Sequence, residues 1–398
     1  MFSSGAAASG RAVHGTLHSR LRVEWRRLPE LTAVLPQWSE LAGRAIEPNV
    51  FYEPSFAMAA APVLGAGVGA GLVWSHEVPA RLLGFFPARI ERRRYGFALP
   101  VLTGWIHAYA PLGSPLIDCT ARDAVIDAWL GHMARDPSLP KLALFPYLPC
   151  AGALSEGFDV AIERSGGRTA WFGRHARAFL APPPPRESWL AHALDGKKRK
   201  ELRRQRKRLG EEGILTSEAA AAEGVPRALD EFLLLEAKGW KGRARTAARC
   251  HPEIAAFMRA AVGALAREGK ASVAQLCVNA HAIAAIITLR SGHRAWCWKI
   301  AYDESYARFS PGVQILLDAT ETLLLDPGIT GADSCATPDH PMIDHVWRER
   351  LVLADRLLSV SAAEPWRFAL ACKLERARRG GIRMAKTMRD RMHVRRAD

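Results

Sequence analysis

The stretch Trp298-Lys299-Ile300-Ala301-Tyr302-Asp303-Glu304, followed by Arg308-Phe309-Ser310-Pro311-Gly312-Val313-Gln314-Ile315-Leu316-Leu317, decides how this chain is read. It reads as a buried strand, a short charged turn and an abrupt helix start. Ser310 suits the helix cap, and Pro311 suits the first turn. Gly312 lets the backbone come close to whatever sits at the helix tip. A first turn without a carboxylate leaves helix N–H groups free for an anion. The residues expected around such an anion are Arg308, Ser310, Pro311, Gly312 and Val313. Strand alternation puts Trp296, Trp298 and Ile300 on one face and Cys297, Lys299 and Ala301 on the other. A lysine in an apolar strand is costly to bury unless paired, so Lys299 is expected in a cleft. There it could bind a phosphate or a carboxylate. Asp303 is the candidate partner or general base.

Upstream, Gly239-Trp240-Lys241-Gly242-Arg243 ends an apolar helix. Two glycines bracket a lysine, and Arg243 offers a two-pronged fork. Trp240, Lys241 and Arg243 are therefore candidate substrate contacts. Around these clusters the pattern predicts helix 199–212, strand 214–218, helix 228–237, helix 252–268, and strands 271–278, 281–290 and 293–302. Asn279-Ala280 and Ser291-Gly292 mark the hairpin turns. Helix 311–325, strand 329–336 and a last strand near 352–360 follow. Residues 21–180 repeat the plan more loosely, with strands near 21–25, 72–74, 82–89, 95–102 and 141–145 and helices near 31–42 and 123–134. The expected fold class is α/β (α+β), with two tandem domains of mixed sheet flanked by helices. The boundaries are a disordered 1–20, a first domain 21–180, a Pro182–Pro185 linker within 181–196, a second domain 197–360, and a basic helical tail 361–398.

The order of elements together with Gly-Trp-Lys-Gly-Arg, Lys-Ile-Ala-Tyr-Asp-Glu and Phe-Ser-Pro-Gly resembles one family. These are the GNAT-superfamily proteins of the CelD/BcsL type, associated with cellulose or exopolysaccharide synthesis. They are similar to the Fem aminoacyltransferases, which carry two GNAT-like halves in one chain. The resemblance covers roughly residues 20–360 and is strongest over 195–320. It implies acyl transfer from acetyl-CoA or another acyl-CoA to an amine or hydroxyl, with catalysis in the second domain and no metal. It further implies that the Ser310–Val313 turn holds the pyrophosphate and that Tyr302 protonates the leaving thiolate. Asp303 or His340 would take the acceptor's proton. The turn departs from the usual glycine-rich signature in having one glycine and a proline. In the Fem proteins the donor is a charged tRNA, which keeps nucleic acid among the partners.

Asp333, Asp339, His340, Asp344 and His345 follow the last core strand of that plan. Asp333 is a candidate substrate contact, and the spacing matches no standard metal site. Nine of the twelve residues from Lys197 to Arg208 are Lys or Arg, and Leu202 is the only apolar one. This run reads as a solvated helix face open to an anionic lipid surface, RNA or another polyanion. The net charge of +15 has the same implication. Seven scattered cysteines without a Cys-x-x-Cys argue against a disulfide framework and for a reducing cytoplasm. Residues 1–20 lack the apolar core of a signal peptide. The uncharged run Pro54–His76 is rich in Ala and Gly and contains Pro62, so it reads as helix, loop and strand rather than a transmembrane span. No Gly-x-Ser-x-Gly elbow or Gly-x-x-x-x-Gly-Lys loop is present, which removes support for hydrolase and NTPase chemistry.

Overall fold

The computed structural model describes residues 21–181 and 188–394. The expectations for residues 1–20 and for the Pro182–Pro185 run lie outside the described residues. The first unit runs β1 (Leu21–Arg27), α1 (Leu35–Gly43), α2 (Pro54–Leu64), β2 (Val68–Ser75), β3 (Leu82–Glu91), β4 (Val101–Gly104), β5 (Leu116–Ile117), α3 (Arg122–Arg135), β6 (Leu142–Pro149), α4 (Ala153–Ser165) and β7 (Arg168–Leu180). The second runs α5 (Trp189–Ala193), α6 (Gly196–Glu211), β8 (Leu215–Ala219), α7 (Val225–Lys238), α8 (Trp240–Arg243), α9 (Pro252–Arg267), β9 (Ala271–Val278), β10 (His281–Ser291), β11 (Arg294–Tyr302), α10 (Pro311–Leu325), β12 (Gly331–Asp333), β13 (Glu349–Ser359) and α11 (Pro365–Val394).

The strands form one continuous mixed sheet in the order β1-β2-β3-β4-β6-β13-β7-β12-β11-β10-β9-β8, with β5 on β3. The mixed α/β class expected from the sequence is the class observed. The last strand, grouped by sequence with the second unit, lies elsewhere. β13 runs antiparallel between β6 and β7 of the first unit. Sequence order cannot reveal this, because the partners lie about two hundred residues upstream. The two units also share a core. Phe56 of α2 meets Phe257 of α9 edge-on at 5.4 Å and Trp298 of β11 at 5.6 Å. Burying these large rings across the junction joins the halves more firmly than a polar domain contact would.

Local chemistry explains most elements. β9 and β10 are joined at Asn279-Ala280, both in the left-handed region at φ 49° and 64°, as a tight hairpin turn requires. α6 is held by Leu202 and Leu209, and Asp195 caps it by accepting from the Lys198 N–H at 2.7 Å. The uncharged run 54–76 forms α2 and β2. Among the described residues no helix is long and apolar enough to cross a membrane. Between β12 and β13 the chain makes a short turn at Ile343–His345.

Candidate active site

The site grows from the fork between β11 and β12. These strands pair in parallel only at Arg294–Gly331, Ala295–Ala332 and Trp296–Asp333. β12 then ends, so residues 297–302 have a strand partner on the β10 side alone. Their other edge is open, and its backbone groups are available to an extended ligand.

β11 also carries a bulge. Ile287 faces Lys299 while the adjacent Thr288 faces Cys297, which leaves Trp298 unpaired. An extra residue shifts every side chain beyond it to the opposite face. The alternation expected from sequence therefore fails after Trp298. Ala301 lies in the same core as Trp296 and Trp298, and Ile300 lies in the other core with Cys297. Lys299 reaches towards α7 and the first unit, whereas Tyr302 packs on Gly312 at the start of α10.

On the Lys299 side, residues from both units converge. The ammonium sits 4.5 Å from the Tyr109 ring centroid, and the Trp298 indole N–H donates to the Tyr109 carbonyl at 2.9 Å. Lys241 pairs with the buried Glu236 at 2.8 Å, and Glu236 also accepts from the Ala248 N–H at 2.9 Å. Burial opposes charge on Glu236, but the Lys241 ammonium and these hydrogen bonds hold its carboxyl below the usual range. Lys299 has no such carboxylate contact. Burial pushes its ammonium down to about 8, Lys241 pushes the same way, and Glu236 only partly opposes them. At the root of the fork Asp333 forms a buried ion pair with Arg177 of β7. Asp333 also accepts from the Cys335 N–H at 3.0 Å. Arg177 donates in turn to the Pro111 carbonyl at 2.9 Å.

The open end of the fork is built differently. Ser310 does not cap α10 through its side chain. It takes the left-handed conformation, φ 52° and ψ 48°, because a short 3-10 turn over Glu304–Phe309 ends there. Its carbonyl accepts from the Val313 and Gln314 N–H groups at 2.9 and 3.0 Å. Pro311 has no N–H, so Gly312 supplies the first donor of the helix. A Cβ on Gly312 would lie 3.1 Å from both Met342 Sδ and a Tyr302 ring carbon, a tight approach that glycine relieves. No acidic residue occupies the first turn of α10. Arg308 turns away to pair with Glu212 at 2.8 Å.

The remaining sequence candidates are scattered. Asp303 accepts from the Ser305 hydroxyl at 2.7 Å and its N–H at 2.9 Å, which keeps its carboxyl low. Glu304 binds the Trp240 N–H at 2.7 Å and Arg243 at 2.8 Å, so the Arg243 fork is already engaged. His340 accepts from the Met342 N–H at Nδ1, 3.3 Å, and burial pushes its ring down. The neutral ring then carries its proton on Nε2 and offers a donor there. Among the described residues no group of three His, Cys, Asp or Glu side chains is placed to hold a metal.

Sequence reasoning missed Tyr109, Arg177 and Glu236. A lone Glu in the apolar run 232–237 and a lone Arg in strand 176–180 were available signals. Tyr109 gives none, because it reaches the site from the other unit.

Comparison with known proteins bears on the fold that carries this site. Residues 196–338 match the family model described as an acetyltransferase (GNAT) domain. Among solved structures, FemX aligns over 83% of this chain and 97% of its own, at 9% identity and a TM-score of 0.55. The C-terminal domain of a candidate lysylphosphatidylglycerol synthetase from Agrobacterium fabrum aligns over 85% and 95%, at 14% identity and 0.51. A conserved protein of unknown function from Bacteroides thetaiotaomicron aligns over 85% and 99%, at 9% identity and 0.50. These likenesses concern the fold. No curated protein matches the sequence. Residues 196–338 thus resemble a GNAT acetyltransferase domain, within a fold similar to that of FemX.

Proposed function

We propose that the chain moves an acyl group, acetyl in the first instance, from acyl-CoA to an amine or hydroxyl acceptor. The observation that carries this reading is the fork within residues 196–338. An open strand edge with a bulge leads away from a helix tip free of carboxylates. These features fit an extended carrier with a diphosphate at one end. Placed so, the diphosphate meets the Gly312 N–H and the α10 dipole, and the pantetheine arm pairs along residues 297–302.

This placement assigns roles. Tyr302 lies four residue steps beyond Trp298, about 13 Å at the usual strand rise. Tyr302 stands at the phosphate end, and the bulge at Trp298-Lys299 stands beside the thioester. The free thioester supplies an electrophilic carbonyl and a thiolate leaving group. Backbone N–H groups at the bulge polarise that carbonyl. Lys299, whose ammonium burial pushes down to about 8, accepts in its neutral form the proton of the attacking amine or hydroxyl as the new carbon–nitrogen or carbon–oxygen bond forms. The carbon–sulfur bond breaks, and the Lys299 ammonium returns the proton to the thiolate. Glu236 and Lys241 line the acceptor side, with His340 contributing a donor.

The acceptor class to screen first is an envelope polysaccharide or its amino-sugar precursor, and we place the reaction in the cytoplasm. The test is release of free thiol from acetyl-CoA across a panel of amines and hydroxyls. Acceptor-dependent release supports the reading, and none across the panel sinks it.

One observation favours a second reading, a charged-tRNA donor. On α6 the side chains of Lys197, Lys200, Arg203, Arg204, Lys207 and Arg208 are exposed. Arg206 is different, because it holds Asp318 of α10 through two bonds of 3.0 and 3.1 Å. Charge reversal is therefore best made at Arg203, Arg204 and Lys207, sparing that pair. We expect less than a twofold change in acetyl-CoA affinity by calorimetry. A salt-sensitive tRNA complex abolished by the same changes, with transfer dependent on it, would favour the second reading instead.

A further inference from the structure

We propose that a cavity between α11 and the first unit binds a small phosphorylated molecule, with its phosphate or diphosphate joined to an apolar body. The cavity is about 510 Å³ and draws none of its lining from residues 196–338. Five arginines border it: Arg89 on β3, Arg94 just beyond, and Arg378, Arg379 and Arg383 on α11. Three carboxylates face them. Arg94 pairs with Glu91 at 2.6 Å and with the buried Glu375 at 3.1 Å. Arg379 pairs with Glu375 at 2.8 Å and with Asp355. Gly173, at φ 60°, lets Arg379 cross β7, since a Cβ there would collide with its guanidinium. Arg378 approaches Glu375 only to 3.8 Å.

Among the described residues, Arg89 and Arg383 have no carboxylate partner. The Arg89 Nε is buried and has no hydrogen-bond acceptor. A buried guanidinium nitrogen left unsatisfied is costly, and an anion entering the cavity would remove that cost. Trp105, Ile106, Leu144 and Pro146 form the opposite wall, which suits an apolar or planar body beside the phosphate. The excess of two positive charges and the half-apolar wall together define the ligand class. The phosphate could belong to a soluble ester or to a lipid headgroup.

The test is calorimetric titration of the full chain with inorganic pyrophosphate, beside sedimentation with phosphatidylcholine vesicles containing phosphatidylglycerol. The variants are Arg383→Gln, exposed on α11 and so harmless to folding, and the double variant Arg89→Gln/Arg383→Gln. Ser310→Asp, which alters the fork, is the control. We expect saturable pyrophosphate binding with a component weakened about threefold in the single variant and at least tenfold in the double, that component being unchanged by Ser310→Asp. Vesicle binding with the same variant pattern, without pyrophosphate binding, assigns the site to a lipid headgroup. No saturable binding to either probe, or loss in Ser310→Asp but not in the arginine variants, overturns the proposal.

Discussion

Asp333→Ala is expected to destabilise the protein by about 3–5 kcal/mol in urea unfolding, because it strands the Arg177 guanidinium without its counterion. Both side chains are buried, and among the described residues Arg177 keeps only the Pro111 carbonyl as a partner, at 2.9 Å. The same change frees the Cys335 N–H at the left-handed turn that closes β12. The loss comes from one uncompensated charge rather than from the pair's net worth. Replacing both partners, as Arg177→Met with Asp333→Leu, is therefore expected to recover most of the stability. A double variant as unstable as Asp333→Ala would show that the pair does more than satisfy itself. The location predicts a second effect. β12 and β7 meet beside the fork root, so acyl transfer should fall even where the single variant remains folded.

Lys299→Met is expected to raise stability while removing activity. The folded-state pKa of Lys299 is about 8, below the value near 10.4 of a free lysine. Between those values the unfolded chain binds more protons than the folded one, so wild-type stability rises with pH from about 8 to about 10. Below about pH 8 the full cost of confining the charged ammonium is present. Methionine removes that cost and forfeits the contact with the Tyr109 ring, for a net gain on the order of 1–2 kcal/mol at pH 7. The variant should lose the pH dependence of stability over the same window. If Lys299 carries the proton, kcat should fall by 10²–10⁴-fold, and the rise of kcat with an apparent pKa near 8 should vanish. Acetyl-CoA affinity should hold within about threefold, since the phosphates lie at the other end of the strand. Unchanged turnover in a folded Lys299→Met protein would eliminate the lysine's role and place the proton acceptor elsewhere in the site.

The two predictions rest on features that differ in how they show in sequence. The strand, turn and helix of 298–317 were legible because apolar runs, Asn279-Ala280 and Ser-Pro-Gly act locally. The bulge was not, since a register shift exists only relative to β10. One extra residue put Lys299 and Tyr302 on different faces and so divided a site that looked contiguous. Ser310 was read as a cap from its type, yet the preceding 3-10 turn fixes its backbone at φ 52° and leaves the side chain unused. Arg243 looked free because its partner Glu304 lies about sixty residues on. Tyr109 and the β13 placement depend on packing between units, which local pattern does not encode. Lys299 itself stands out in the sequence for a physical reason: a cation in an apolar strand needs an explanation.

The central claim is that the acyl donor lies along the open edge of β11 with its diphosphate at the tip of α10. The most direct measurement is titration calorimetry with acetyl-CoA, comparing wild type with Ser310→Asp. Aspartate tolerates the left-handed backbone and adds a carboxylate at the helix tip. That charge favours the helix by about 0.3–1 kcal/mol and opposes a bound phosphate. The account predicts a variant at least as stable as wild type that binds acetyl-CoA about tenfold more weakly or worse. Equal affinity in the two proteins, with both folded, would contradict it and move the donor away from the fork.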